Sequence, residues 1–324
     1  MTEQIASTTP DNRPPLVVLG PTASGKTGLA LALAQATAEA HIVSADAMAV
    51  YARMDIGTAK PTEAERLSVV HHGIDIVDAS EECGVATYND AIRPVIESLD
   101  ATSTPFILAG GTGLYIRSIV DAFELPGTYP EVVLELESEP HTEKLWQRLH
   151  ALDPMAAAKM EPNNRRRVMR ALEVCVGSGR PFSSFGPGVD AYPPSRFVQI
   201  GLEIDRELMD RRIDERYEHQ MAAGFLAEVE ALLRTDLSRP ARQALGYREL
   251  IKHLEGHCTL DEALDEAKRR THRFARRQQR WFRRDPRIHW LPATAPDLVE
   301  RAQAIWAKGE PADVNRSVGA IISS

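Results

Sequence analysis

The sequence predicts an α/β fold: a P-loop NTPase-like parallel sheet core flanked by helices, with an all-helical insertion domain and C-terminal helices. Three observations carry this prediction. The apolar run Leu16-Val17-Val18-Leu19 feeds Gly20-Pro21-Thr22-Ala23-Ser24-Gly25-Lys26-Thr27, with helix-forming residues from Gly28 to Ala40 behind it. That order of strand, glycine-rich turn and helix is the setting of a phosphate-binding loop. Further short apolar runs at 41–44, 105–109 and 196–202 alternate with helical patterns, as strands of an open parallel sheet do. Between 124 and 194 strand-like runs vanish, and helical patterns punctuated by Pro126-Gly127, Pro162-Asn163-Asn164 and 177–181 take over. Residues 15–123 and 195–324 are therefore assigned to the core, 124–194 to the helical insertion, and the polar stretch 1–14 to a disordered lead-in.

At 324 residues, with 43% hydrophobic and 26% charged, the chain suits a core domain plus a smaller one. No apolar run approaches the roughly 20 residues that cross a bilayer. The first 14 residues have neither the basic start nor the apolar stretch of a secretory signal, so no membrane association and a cytoplasmic location are expected. Cys83, Cys175 and Cys258 are far apart in sequence, which indicates packing residues rather than a disulfide framework or a zinc knuckle. A net charge of -8 argues against nucleic-acid coating by the whole surface, so any such contact must come from local basic patches.

In the loop, glycines at 20 and 25 let the backbone aim its N–H groups at one point, and the helix N-terminus adds positive potential there. Lys26 brings a full charge and the Thr27 hydroxyl can ligate Mg²⁺. Gly20, Thr22, Ala23, Ser24, Gly25, Lys26 and Thr27 are thus read as a polyphosphate cradle that does not specify its ester.

After the first helix, 41–44 reads as a second strand, with Asp46 at its carboxyl end, where open parallel sheets bind ligands. Asp46 either faces the contents of the loop or caps the segment after it. Residues 54–61 form a glycine- and proline-punctuated loop, and 71–78 a short edge strand whose His71 and His72 lack a third metal ligand and are read as structural. A helix over 87–99 leads to the strand 105–109, which ends in Gly110-Gly111-Thr112 where a P-loop ATPase places a Walker B aspartate. That counts against nucleotide hydrolysis. The strand at 196–202 is followed by a helix over 206–223, a break at Gly224 and a second helix through Leu233. Arg212 and Arg216 lie one turn apart, spaced either to clamp a diphosphate or to pair with Asp214 and Glu215 neighbours. Residues 239–249 read as a loop opening the next helix, and the tail beyond Trp290 carries no motif.

Two basic segments stand out. Arg165, Arg166, Arg167 and Arg170 are uncompensated until Glu173, and Arg166 and Arg170 share a helix face, which favours phosphate contact over a merely solvated face. Residues 268–284 hold nine Lys or Arg and no acidic residue, with Phe274, Trp281 and Phe282 interleaved. On a helix Arg269, Arg273, Arg276, Arg280 and Arg284 form one stripe. An amphipathic helix docking through its aromatics leaves the missing acidic partners unexplained, so the stripe reads as a phosphate-backbone footprint.

Three function classes can be built from these parts. A small-molecule kinase leaves the basic stripe idle, and a nucleic-acid-stimulated ATPase lacks its Walker B carboxylate. A transferase that binds a diphosphate donor in the loop and an RNA on the basic surfaces uses every feature. Six ordered motifs then resemble the bacterial tRNA dimethylallyltransferases: 20–27, Ser44-Ala45-Asp46, 54–61, Gly110-Gly111-Thr112-Gly113-Leu114-Tyr115, 167–173 and Gln243-Ala244-Leu245-Gly246-Tyr247-Arg248. The resemblance covers roughly residues 15–291.

The resemblance implies transfer of a dimethylallyl group from dimethylallyl diphosphate to N6 of adenosine 37 in tRNAs that read codons starting with U, a prenyl transfer. By the same resemblance the donor diphosphate and Mg²⁺ sit at the P-loop, with Thr27 as metal ligand, and Thr112 joins the diphosphate-binding set. Asp46 matches the family's general base and Arg216 its diphosphate-binding arginine, so Asp46, Lys26 and Arg216 are the expected catalytic residues. Asp46, Ala47, Met48 and Ala49, then Arg166, Arg167 and Arg170, then Gln243, Gly246 and Arg248, match its tRNA-contacting segments, to which the basic stripe adds Arg273, Arg276, Arg277 and Arg280. The insertion resembles the family's mobile anticodon-loop domain, which makes the tRNA anticodon stem-loop the expected partner of a monomeric enzyme. Many members carry Ser and Gln where this chain has Ala47 and Ala49, so side-chain hydrogen bonds to the adenine from those positions are unavailable. The alternative acceptor is a free adenine nucleotide (AMP, ADP or ATP), which would not need the basic segments.

Overall fold

In this computed structural model residues 13–309, apart from Pro187, are described. The chain begins with β1 (Leu16–Leu19), α1 (Lys26–Gln35) and β2 (His41–Ser44), followed by α2 (Glu63–Ser68), β3 (His71–His72), α3 (Val85–Ala101), β4 (Phe106–Gly110) and α4 (Gly113–Val120). Helices α5 (Pro130–Glu137), α6 (Thr142–Leu152), α7 (Pro154–Ala158) and α8 (Arg165–Ser178) come next, with no strand among them. The chain then returns through β5 (Val198–Glu203), α9 (Arg206–Ala222), α10 (Phe225–Leu232), α11 (Arg239–Arg242), α12 (Tyr247–Leu254), α13 (Leu260–Phe282), β6 (Ile288–Pro292) and α14 (Leu298–Lys308). Contacts divide it into two compact units, one of 1–120 with 194–324 and one of 121–193.

The first unit carries a six-stranded sheet in the order β3-β2-β4-β1-β5-β6, parallel throughout. It is the P-loop NTPase-like α/β core that the sequence predicts. Both faces are covered, so successive residues of β1 enter different cores: Val17 and Leu19 join one apolar cluster, Leu16 and Val18 the other. Leu19 is in register with Gly110 of β4, and Ser44 of β2 with Ala109. The loops that follow β1, β2 and β4 therefore leave the sheet side by side at its carboxyl edge.

Four elements differ from the sequence reading. The edge strand expected over 71–78 pairs only at His71–His72, plus one bridge between Tyr51 and Val77. Asp75 turns the chain in a left-handed conformation (φ 55°) while Lys60 and Arg66 hold its carboxylate. Arg239–Arg242, expected as a loop, is a short helix capped by Ser238, with Pro240 in its first turn. The tail beyond Trp290 supplies the last two residues of β6, which pairs with β5, and all of α14, whose fully buried Trp306 packs in the cluster with Leu29 and Leu33 of α1. The end of the lead-in is ordered there too: Pro14 accepts a hydrogen bond from Trp306 Nε1 at 2.7 Å and Arg13 lies over the indole at 4.8 Å. Residues 1–12 lie outside the described residues.

The second unit has its own apolar core, in which Leu136, Leu149, Val168, Ala171 and Leu172 are buried. No helix among the described residues is long and apolar enough to cross a membrane.

Candidate active site

The loop after β1 folds as its glycines require. Gly25 takes φ 91° and Ala23, unusually for a residue with a side chain, φ 65°. These left-handed turns carry the loop into the N-terminus of α1, with the Ser24 N–H closing back on the Pro21 carbonyl at 3.2 Å. Ser24 is buried and its hydroxyl has no partner among the described residues. A Cβ on Gly20 would sit 2.7 Å from that hydroxyl, so the loop keeps a buried donor at its centre only while position 20 is glycine. An orphaned hydroxyl of this kind fits an absent phosphate oxygen. Thr27 lies exposed in the first turn of α1. No group of three His, Cys, Asp or Glu that could hold a metal occurs among the described residues. A lone hydroxyl beside a phosphate site matches the habit of Mg²⁺, which takes few protein ligands and completes its shell with phosphate oxygens and water.

Lys26 donates to the Pro21 carbonyl at 3.2 Å. Burial pushes its ammonium down to about 8, the Asp46 carboxylate opposes that shift and the Arg216 cation reinforces it. Burial likewise lowers Arg216, with Tyr217, Asp46 and Tyr247 acting the other way. The fold therefore brings Lys26, Asp46 and Arg216, 190 positions apart at the extremes of sequence, into one electrostatic centre.

Asp46 closes a tight turn by accepting the Met48 N–H on Oδ1 at 2.9 Å. The next anchor is Thr112, whose hydroxyl accepts the Ala47 N–H at 2.9 Å while its own N–H donates to the Ala45 carbonyl at 3.2 Å. Thr112 thus clamps the Asp46 turn and still has a hydroxyl proton to donate. Ala49 is buried in the core, so its methyl is absent from the surface, whereas Ala47 and Met48 are half-buried. Within the loop, Thr22 gives both its N–H and its hydroxyl proton to the side chain of Gln278.

From α9, Arg212 reaches the Ala23 carbonyl at 3.4 Å and Arg216 the Gly57 carbonyl at 3.4 Å. Neither pairs with Asp214 or Glu215. Gln220 holds the carbonyls of Ile56 and Gly57, and Glu228 accepts three successive N–H groups, of Asp55, Ile56 and Gly57, at 2.7–3.1 Å. Tyr247 completes the Glu228 cluster at 2.6 Å. A cavity of about 850 Å³ opens beside this loop, with Arg212, Arg216, Lys60 and Gln220 in its wall. Lys26 and Asp46 do not line it, so Arg216 stands where the cavity meets the charged centre.

A family model described as IPP transferase matches residues 49–285. The chain belongs to the IPP transferase family. It is 46% identical over 303 residues to the tRNA dimethylallyltransferase of Bifidobacterium longum (strain NCC 2705), covering 91% of this chain and 92% of that one. With the tRNA dimethylallyltransferase of Thermobifida fusca (strain YX) the figure is 45% over 300 residues, 90% and 93% of the two chains. Among solved structures it is similar to the tRNA isopentenylpyrophosphate transferase from Bacillus halodurans, with TM-score 0.68, 32% identity and coverage of 95% of this chain and 99% of the other. It is also similar to a eukaryotic dimethylallyltransferase acting on tRNA, with TM-score 0.74, 25% identity and coverage of 90% and 77%.

In this IPP transferase the basic segments are less free than their sequence suggests. The cations nonetheless find acidic partners: Arg276 pairs with Asp210 at 3.2 Å, Lys268 with Glu218 and Arg270 with buried Glu249 on other helices, and Arg269 and Arg273 with Glu266, one and two turns upstream on α13 itself. Arg277 stacks on Phe274 at 5.7 Å, and exposed Arg280 has no partner among the described residues. In α8, Arg170 bonds the carbonyls of Pro126 and Gly127 and pairs with Glu173, while Arg166 and Arg167 are exposed. Exposed Gln243 accepts from half-buried Arg248 at 3.2 Å, and buried Gly246 takes φ 85° at the start of α12.

The residues that sequence reasoning missed are Gln278, Gln220 and Glu228. Gln278 had a signal, since it is the amide that breaks an apolar helical stripe of Ala267, Thr271, Ala275 and Phe282. Glu228 had none, because nothing in α10 distinguishes it from its acidic neighbour Glu230.

Proposed function

We propose that this chain transfers a dimethylallyl group from dimethylallyl diphosphate to N6 of adenosine 37 in tRNA, acting as a monomeric cytoplasmic enzyme. The observation that supports it best is the joint placement of Lys26, Asp46 and Arg216 beside a phosphate loop whose neighbouring strand ends in Gly110 rather than in a Walker B carboxylate. Such a centre stabilises a leaving diphosphate and takes a proton, and it lacks the arrangement for hydrolysing a nucleotide.

The donor diphosphate occupies the loop, held by its N–H groups, the Ser24 and Thr27 hydroxyls, Lys26 and Arg216. The N6 lone pair, weakened by delocalisation into the ring, forms the new C–N bond at C1 of the dimethylallyl group as the C–O bond to diphosphate breaks. Asp46, with Oδ1 fixed by Met48, presents its other oxygen to the amine and takes its proton. Negative charge growing on the diphosphate meets Lys26 and Arg216, which strengthens their hold at the transition state. Thr27 would be the protein residue to hold Mg²⁺ beside the diphosphate, and the ion would supply Lewis-acid stabilisation of the leaving group. Adenosine 37 must leave the anticodon-loop stack to reach this site, and the helical unit 121–193 grips the anticodon stem-loop to offset that cost.

The test is incubation with dimethylallyl diphosphate and Mg²⁺ plus either unmodified tRNA or AMP, followed by nucleoside mass analysis. Prenylated adenosine from tRNA alone is expected; a product from AMP alone would assign the activity to free nucleotides. Asp46→Ala should abolish transfer with tRNA binding kept, and wild-type turnover in that variant would sink the general-base assignment.

A further inference from the structure

We infer that Gln278 is a positioning residue for the diphosphate site, resting on the donor-site reading above. It lies on the buried stripe of α13, between Ala275 and Phe282, where an amide is costly unless every polar atom is paired. Its Oε1 accepts from the Thr22 N–H at 2.9 Å and the Thr22 hydroxyl at 3.2 Å, and its Nε2 donates to the Gly111 carbonyl at 2.8 Å. One side chain therefore ties the loop after β1 to the loop after β4, the two segments that flank Lys26 and the Asp46 clamp.

The two ends of the amide meet opposite demands. Thr22 offers only donors to it and Gly111 an acceptor, so neither a carboxylate nor an apolar side chain satisfies both. Gly111 is shaped to the same contact, since a Cβ there would lie 2.6 Å from Gln278 Nε2 and 3.5 Å from Lys26 Cε. The amide also draws the Thr22 N–H and hydroxyl away from the loop interior, which leaves the interior to the remaining N–H groups, Ser24 and Lys26. Gln278 touches no atom of the reaction; it fixes the shape of the cradle from outside.

The test measures the affinity of inorganic pyrophosphate with Mg²⁺ by calorimetry, donor KM, tRNA affinity and thermal midpoint. Gln278→Leu is expected to raise the pyrophosphate Kd and donor KM about tenfold, as loss of buried hydrogen bonds does, with tRNA Kd within about twofold and kcat at saturating donor within about threefold. Gln278→Glu should do at least as much, because its charge faces both the Gly111 carbonyl and the diphosphate. Thr22→Val, which removes only the hydroxyl bond, should raise the pyrophosphate Kd about threefold in the wild-type background and not at all beside Gln278→Leu. Pyrophosphate affinity within twofold of wild type in both Gln278 variants overturns the inference. So does a parallel rise in tRNA Kd, which would mark general damage, or a full Thr22→Val effect beside Gln278→Leu, which would mean that Thr22 acts on the diphosphate directly. Pyrophosphate binding does not depend on prenyl transfer, so these outcomes stand whether or not tRNA is the acceptor.

Discussion

Helices α8 and α13 both read as runs of arginine without local acids, yet they dispose of their charge in different ways. In α8 two arginines are turned inward: Arg165 reaches the Leu136 and Glu137 carbonyls, and Arg170 bonds the Pro126 and Gly127 carbonyls and Glu173, a side chain only 9% exposed, while Arg166 and Arg167 stay outside. In the α13 run, over 268–284, four of the nine cations pair with acids on other elements, Asp210 of α9 and Glu249 of α12 among them, two more pair with Glu266 of the same helix, and Arg277 and Arg280 are exposed with no acidic partner among the described residues. A cation count along a helix thus overstates what a nucleic acid can use. The cations whose removal leaves the fold intact are the ones available to a phosphate backbone.

Within the two helices the largest expected effect falls on the pair between Arg270 and Glu249. Arg270→Ala leaves Glu249, 2% exposed, with the Gly246 N–H as its only hydrogen-bond partner among the described residues, and should lower unfolding free energy by about 3 kcal/mol in denaturant titration. A loss below about 1 kcal/mol would show that water satisfies Glu249 and would weaken the distinction between paired and open cations.

Arg170→Ala is the corresponding change in α8. It removes two carbonyl contacts and leaves Glu173 with the Tyr129 N–H, so about 2 kcal/mol of stability should be lost. Faster amide exchange confined to 121–193 would place the damage in that unit; protection unchanged there would mean Arg170 is dispensable to it.

The open cations should behave in the opposite way. Replacing Arg277 and Arg280 together by Ala is expected to weaken tRNA binding about tenfold and to reduce the salt slope by about two, with the thermal midpoint unchanged. The pair Arg273 and Arg276, already engaged by Glu266 and Asp210, should change tRNA affinity less. Equal losses from the two pairs would erase the difference between them.

How far sequence carries the reading follows from the same physics. The strand, loop and helix of residues 16–35 were legible because a phosphate loop demands residue types at fixed spacing, and β2, β4 and β5 because buried parallel strands are short apolar runs. The tail was not legible: β6 is a five-residue strand containing His289, Trp290 and Pro292, and its pairing with β5 depends on partners far away in sequence. At the site, Lys26 and Asp46 stood in recognisable local patterns, whereas for Arg216 position alone left two outcomes open. The fold sets aside the local ion pair, since Arg216 bonds the Gly57 carbonyl rather than a neighbouring carboxylate. The ion pairs of α13 were illegible for the same reason, since Asp210 and Glu249 lie on other helices.

Lys26 extends the contrast to a cation that the fold neither neutralises nor exposes. Burial holds it down to about 8, against an ordinary 10.5, so the free enzyme begins to lose this charge just above neutral pH. A diphosphate binds the ammonium form and draws the proton back, which couples donor affinity to proton uptake. Pyrophosphate Kd should therefore be flat below about pH 7 and rise above pH 8, by about fourfold between pH 7 and pH 8.5 if the bound lysine stays protonated. Stability moves the other way. The unfolded chain binds more protons on Lys26 between about 8 and 10.5, so this group's contribution to stability rises with pH across that window. Calorimetry of pyrophosphate binding in buffers of different ionisation enthalpy separates the two, because proton uptake on binding should peak above pH 8 and vanish in Lys26→Ala. Uptake that persists in that variant would place the titrating group elsewhere.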